Sequence, residues 1–142
     1  MLMSKKHAKS AWVSSSREED MPWGKEVRWA GFDGLHGKVI YFEKGKRTSY
    51  KYNTLKSESL FVLSGKVRFS FANEDHLESP QANPMEKVIA EPGRVLHIQS
   101  HCPYRVTALE DSVIIEIGNH LSSPVVRIED DYNRQDGIKS DD

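Results

Sequence analysis

Nine short runs of β-branched and aromatic residues, none longer than six residues, constrain this chain most. They fall at 26–29, 38–42, 59–63, 66–71, 87–90, 94–98, 104–107, 112–117 and 125–128, and runs of that composition read as strands. Turn residues punctuate them at Asp33-Gly34, Gly45, Ser64-Gly65, Pro92-Gly93 and Glu110-Asp111. A helical period is not sustained anywhere, and the one helical expectation is a short piece near Ser57 or in a tail. Strands spaced in this way predict an all-β sandwich or barrel. Residues 73–86, with Pro80 and Pro84 among polar neighbours, read as the one long loop. Alternation along the strands assigns Phe61, Val67, Phe69, Val113, Ile115 and Ile117 to the barrel lining.

The 142 residues suffice for one domain with one core. Residues 1–20 are mostly Ser, Lys and Glu and predict a flexible N-terminal arm, in which Trp12 and Val13 could pack on the body. The barrel domain is placed at 21–134, and 135–142 reads as a disordered acidic tail. A net charge of -1 supplies no field for nucleic acid or for an acidic membrane. Cys102 is the only cysteine, which excludes an intramolecular disulfide and a cysteine-cluster zinc site and points to a reducing cytoplasm. Apolar runs stay far short of the roughly 20 residues that span a bilayer, and no signal-peptide core is present, so a soluble protein is expected.

A second constraint lies around Ser49 to Gly65. Gly45 is followed by five residues, Lys51, one residue, Asn53, four residues, Glu58, six residues and Gly65. Further on, Gly93 is followed at matching intervals by Gln99, His101 and Tyr104. These spacings resemble the two motifs of the cupins, G-x5-H-x-H-x(3,4)-E-x6-G and G-x5-P-x-G-x2-H. Two flanks, Pro22-Trp23-Gly24 and the stretch from Val125 to Arg134, are similar to those of the type II mannose-6-phosphate isomerases. The same cupin forms the C-terminal domain of bifunctional mannose-1-phosphate guanylyltransferases. The resemblance covers residues 22–134 and implies an all-β, jelly-roll barrel of the cupin type. The nucleotidyltransferase domain is absent, so nucleotide-sugar synthesis does not carry over.

In that family the motif residues point into the barrel and hold a divalent metal. Carried over position by position they become Lys51, Asn53, Glu58 and Tyr104, and only the Glu is a metal ligand of the usual kind. A protonated Lys51 has no lone pair to give and repels a cation, so no metal and no cofactor are expected. One reading of the four is structural: an ion pair between Lys51 and Glu58 replaces the metal, and Asn53 and Tyr104 complete the network. The other is a site for a small anionic or polyhydroxyl ligand, with Lys51 on an anion and Tyr104 and Asn53 on hydroxyls. His97 and His101 flank the second motif and join the expected ligand-binding set, as structural residues or as an off-position metal site with Glu58. Cys102 has no evident base partner and reads as an inert thiol, and Arg127 and Tyr132 serve packing, dimerisation or sugar phosphate.

The function these features imply is a mannose-6-phosphate-isomerase-like cupin that binds a small carbohydrate or anionic metabolite without the usual metal. An active sugar-phosphate isomerase or epimerase is one alternative, with Glu58 as base and Lys51 as electrophile. The other is a non-catalytic interaction or assembly module. A homodimer joined through sheet edges is expected, with neither nucleic acid nor membrane as a partner. No hydrolase elbow and no phosphate-binding glycine loop occur in the sequence.

Overall fold

A computed structural model describes residues 8–120 and 122–134. The expected tail at 135–142 and the first seven residues of the expected arm lie outside the described residues. Eleven strands follow in order: β1 (Arg17–Met21), β2 (Gly24–Phe32), β3 (Leu35–Phe42), β4 (Tyr50–Asn53), β5 (Glu58–Ser64), β6 (Val67–Phe71), β7 (Glu86–Ala90), β8 (Val95–Ile98), β9 (Tyr104–Ala108), β10 (Ser112–Gly118) and β11 (Val125–Glu129). One sheet has the order β1-β2-β3-β10-β5-β8, and the other has the order β11-β4-β9-β6-β7. Every pairing is antiparallel.

All nine expected runs are strands. The two that composition concealed are β4, which is short, and β1, whose Arg-Glu-Glu-Asp sequence is poor in strand formers. β1 forms because Pro22-Trp23 closes a tight hairpin that pairs Met21 with Gly24 and Arg17 with Arg28. The strand body therefore begins four residues before the expected start of the barrel at 21. The short helical element is a 3-10 turn at Glu74–Leu77 inside the long loop, and the stretch around Ser57 is not helical.

Between the sheets lies the apolar core of Trp23, Ile40, Phe42, Leu60, Val62, Val67, Phe69, Leu96, Ile98, Val106 and Ile114. Burying a side chain the size of Trp23 contributes on the order of 4 kcal/mol before opposing entropy. The two flanks of the resemblance meet here. Tyr132 packs at 6.2 Å from the Trp23 ring, the Arg134 guanidinium lies 5.3 Å over it, and the Tyr132 hydroxyl donates to the Arg47 carbonyl at 2.9 Å.

Val67 and Phe69 line the core as expected, but the assignment is inverted on β5 and β10. There Leu60, Val62, Ile114 and Glu116 face inward, while Phe61 and Ile117 are 38% and 51% exposed and Val113 and Ile115 stand on the outer face. A face swaps whenever the parity is misread by one residue. On β10 the outer parity of Val113, Ile115 and Ile117 is wholly apolar while the inner one carries Ser112 and Glu116, so alternation alone points the wrong way.

Gly45, Gly65 and Gly93, the three motif glycines, all have positive φ. At Gly65 a side chain is impossible, since an added Cβ would run into the Asp111 carbonyl and the Ser112 hydroxyl.

Candidate functional site

The six-stranded sheet sends charged residues inward in registered rows. Arg17, Arg28, Lys38, Glu116 and Leu60 lie directly opposite one another across β1, β2, β3, β10 and β5. The neighbouring inward row runs His36, Gly118, Glu58 and Ile98 across β3, β10, β5 and β8. Glu26 stands on the same face of β2. Glu26 and Lys38 are completely buried, and His36, Lys56, Glu58 and Glu116 are nearly so.

Pairing compensates the charges. Lys38 Nζ lies 2.9 Å from Glu26 and 3.8 Å from Glu116, Glu116 accepts from His36 Nε2 at 2.7 Å, and Lys56 Nζ lies 3.0 Å from Glu58. The Tyr104 hydroxyl donates to Glu58 Oε1 at 2.6 Å, and Asn53 Nδ2 donates to the same oxygen at 3.2 Å. Lys51, directly opposite Tyr104 in register, places its ammonium 4.0 Å over the Tyr104 ring.

Thus Lys51, Asn53, Glu58 and Tyr104 do converge inside the barrel. The expected pair of Lys51 with Glu58 is corrected, because the cation in ion-pair contact with Glu58 is Lys56. Lys51 reaches the ring instead and acts on Glu58 through space. Lys56 was missed since it stands outside the motif spacing. His36, Lys38, Glu26 and Glu116 belong to no motif, and the only signal for Lys38 and Glu116 was a charge embedded in an apolar strand.

His97 and His101 are not in the barrel interior. β8 turns Leu96 and Ile98 inward, so His97 is exposed on the outer face, where its Nδ1 pairs with the Ser59 hydroxyl at 2.7 Å. The strand ends at Ile98, and His101 stands in a turn with φ 67° and its backbone N–H on the Asn53 carbonyl at 2.7 Å. It occupies the position where the cupin motif has glycine, and a left-handed backbone costs an ordinary residue about 1 kcal/mol or more. Cys102 is half-buried, and burial pushes its thiol up, as suits an unreactive group.

Protonation follows from the pairing. Burial, the nearby Glu116 carboxylate and a hydrogen bond to it push Glu58 up to about 7, against the pull of Lys56 and Lys51. Glu116 resists its own burial through Lys38, the hydrogen bond from His36 and Lys56, and lies well below the usual carboxylate range. Of the two carboxyls Glu58 therefore takes up a proton more readily than Glu116. Burial lowers His36 despite Glu116, whereas the carboxylates of Glu116 and Glu26 outweigh burial and raise Lys38.

The cupin fold implies a metal, and His36, Glu58 and Glu116 present ligand atoms within 4.8 Å of one another. The donor set does not fit one. Lys56 and Lys38 already hold the two carboxylates. Unit charges 4 Å apart interact by about 4 kcal/mol at an effective dielectric of about 20, and a dication would feel twice that from each ammonium. The residues at the usual ligand positions offer an ammonium, an amide and a phenol beside the one carboxyl.

Beside this cluster lies a groove of about 410 Å³ lined by Ser57, Glu58, Ser59, His97, Gln99 and Asn119 with Ile98 and Ile117. His97 thus shares a cavity with Glu58, though from the outer face. A separate cleft of about 470 Å³ opens beside His36 at β2.

No family model matches the chain. No curated protein matches it either. Solved structures do. An RmlC-like cupin from Shewanella frigidimarina aligns over 83% of this chain and 95% of its own, with a TM-score of 0.61 and 14% identity. A candidate sugar phosphate isomerase from Acidithiobacillus ferrooxidans aligns over 72% of this chain and 65% of its own, with a TM-score of 0.56 and 21% identity. The capsular polysaccharide assembling protein CapF from Staphylococcus aureus aligns over 89% of this chain, with a TM-score of 0.60 and 13% identity. This chain spans 33% of CapF, so what it shares with that protein is a part. Among the described residues no helix is long and apolar enough to cross a membrane. The two antiparallel sheets, the three positive-φ motif glycines and these neighbours make the fold a cupin-type jelly-roll barrel.

Proposed function

We propose that this barrel is a metal-independent cupin that binds a small carbohydrate or anionic metabolite at the end where Glu58, Lys56 and Tyr104 meet. The observation that carries the reading is the Lys56 ammonium at 3.0 Å from Glu58, which supplies the cation that a cupin metal would otherwise supply. The adjoining groove offers hydroxyls, amides and an imidazole over an apolar floor, the mixture that suits a polyhydroxyl ligand. Likeness to a candidate sugar phosphate isomerase and to a polysaccharide assembling protein supports a carbohydrate. The narrower resemblance to mannose-6-phosphate isomerases rests on the two flanks, and their residues are engaged in packing around Trp23.

One observation favours a second reading. A buried carboxyl that titrates near neutrality beside a phenol is suited to proton transfer, so Glu58 would act as the acid-base group of an isomerase or epimerase. Homodimerisation stays within the proposal. The surface on offer is the apolar outer face of the six-stranded sheet rather than its edges.

Protein purified without chelator is assayed for metal and titrated with neutral sugars and sugar phosphates while the groove resonances of Ser59 and His97 are followed. Saturable binding that survives EDTA is expected. Binding that requires stoichiometric divalent metal overturns the reading. Exchange of a substrate carbon-bound proton with solvent deuterium, lost in Glu58→Gln, would establish the isomerase.

A further inference from the structure

The cleft beside His36 is bounded by Ser14, Ser15, Arg17, Arg28, Gly31 and His36, and it shares no residue with the groove at Glu58. Cations line up along it. Arg17 and Arg28 are directly opposite across β1 and β2, and Arg28 is directly opposite Lys38 across β2 and β3, so three cations stand side by side on one face. Like charges directly opposite one another destabilise a strand pair unless something offsets them.

The carboxylates in reach serve Arg28 and Lys38 and leave Arg17 aside. Glu26 is committed to Lys38 at 2.9 Å and meets Arg28 only at 3.6 Å, and Glu19 meets Arg28 at 3.8 Å. Glu116 is held by His36 and Lys38. Among the described residues Arg17 makes no ion pair. Arg28 is only 28% exposed at its side chain, so water screens it less than it would a fully exposed guanidinium. Beside it the ladder is broken by a bulge between Arg28 and Ala30, a device that re-aims a strand next to a site.

We propose that this cleft binds a small oxyanion, a phosphate monoester or a carboxylate, gripped by the Arg17 and Arg28 guanidiniums with the Ser14 and Ser15 hydroxyls as further donors. Guanidinium forks match either oxyanion with paired hydrogen bonds, and the volume admits a metabolite rather than a bare ion. His36 forms the inner wall and hydrogen-bonds to Glu116, so occupancy of the cleft is felt inside the barrel.

The test is a titration of isotope-labelled full-length protein with inorganic phosphate and, separately, acetate, with sodium chloride holding ionic strength constant. Saturable shifts are expected for Arg28, Gly31 and the His36 imidazole, while Ser59 and His97 in the groove stay still. Arg17→Gln, on an exposed edge strand, should keep a dispersed spectrum and weaken binding at least tenfold, whereas Lys25→Gln on the outer face should leave it unchanged. Saturation by phosphate alone assigns a phosphate ester, and tighter saturation by acetate assigns a carboxylate. Linear shifts, equal shifts with chloride, or undiminished binding in Arg17→Gln would mean an adventitious ion only and would overturn the proposal. Because the groove is read from Ser59 and His97 and the cleft from Arg28, Gly31 and His36, either site can fail without the other.

Discussion

The two faces of the six-stranded sheet reverse the usual arrangement of a half-buried sheet. Across the outer face Val27, Val39, Ile115, Phe61 and Val95 form one registered row over five strands, with no described element covering it. The inner face carries Glu26, Lys38, Glu116, His36 and Glu58 among its aliphatic residues. Apolar character therefore does not identify the inside of this barrel. What does is whether each group finds its partner: these five inner groups are paired within 4 Å, while the outer apolar row has no described element against it.

The comparison breaks most readily at Lys38. Replacing it by Met leaves Glu26 and Glu116 buried without their shared cation, and a loss of about 3–5 kcal/mol in urea unfolding is expected. A loss below about 1 kcal/mol would mean that the inner charges are not held by pairing.

Next in size is the pH response of Glu58. Its folded value of about 7 lies above the ordinary 4.5, so its contribution is fully present below pH 4.5 and is lost as pH rises toward 7. Glu58→Gln mimics the protonated form. Relative to that variant the wild type should lose up to about 1.4 kcal/mol per pH unit across this window. His36 works in the opposite sense, with stability present above its ordinary 6.5 and lost below, but it is common to both proteins and drops out of the difference. A pH-independent difference would place the proton elsewhere.

The smallest effect on folding is expected on the outer face. Phe61→Asp should change the unfolding free energy of dilute protein by less than about 1 kcal/mol, since Phe61 is already 38% exposed. In sedimentation the same variant should abolish self-association. An unaltered dimer would remove this face as its interface.

The barrel itself was legible because strand composition, turn residues and glycine spacing are local signals. Gly45, Gly65 and Gly93 announced backbone conformations that the structure contains. Half the site was legible too, since Lys51, Asn53, Glu58 and Tyr104 occupy motif positions. The rest depended on parity and on long-range pairing. Val113 and Ile115 looked like lining because they alternate as apolar residues, and nothing local reveals that Lys38 and His36 on β3 wait for Glu116 on the other parity. His101 misled for a different reason, being a turn residue in a glycine's place.

β10 lies between β3 and β5 in space yet follows both in the chain by more than forty residues. Until it is in place, Lys38 lacks Glu116, and the apolar rows on both faces are cut in two. A growing chain can therefore form the β2–β3 hairpin early but cannot dry its ionic groups one at a time, because a carboxylate or ammonium leaves water only with its partner. Folding should accordingly be slow and strongly cooperative, with no stable fragment ending before Gly118, and a ribosome-stalled chain lacking that strand should remain open to protease.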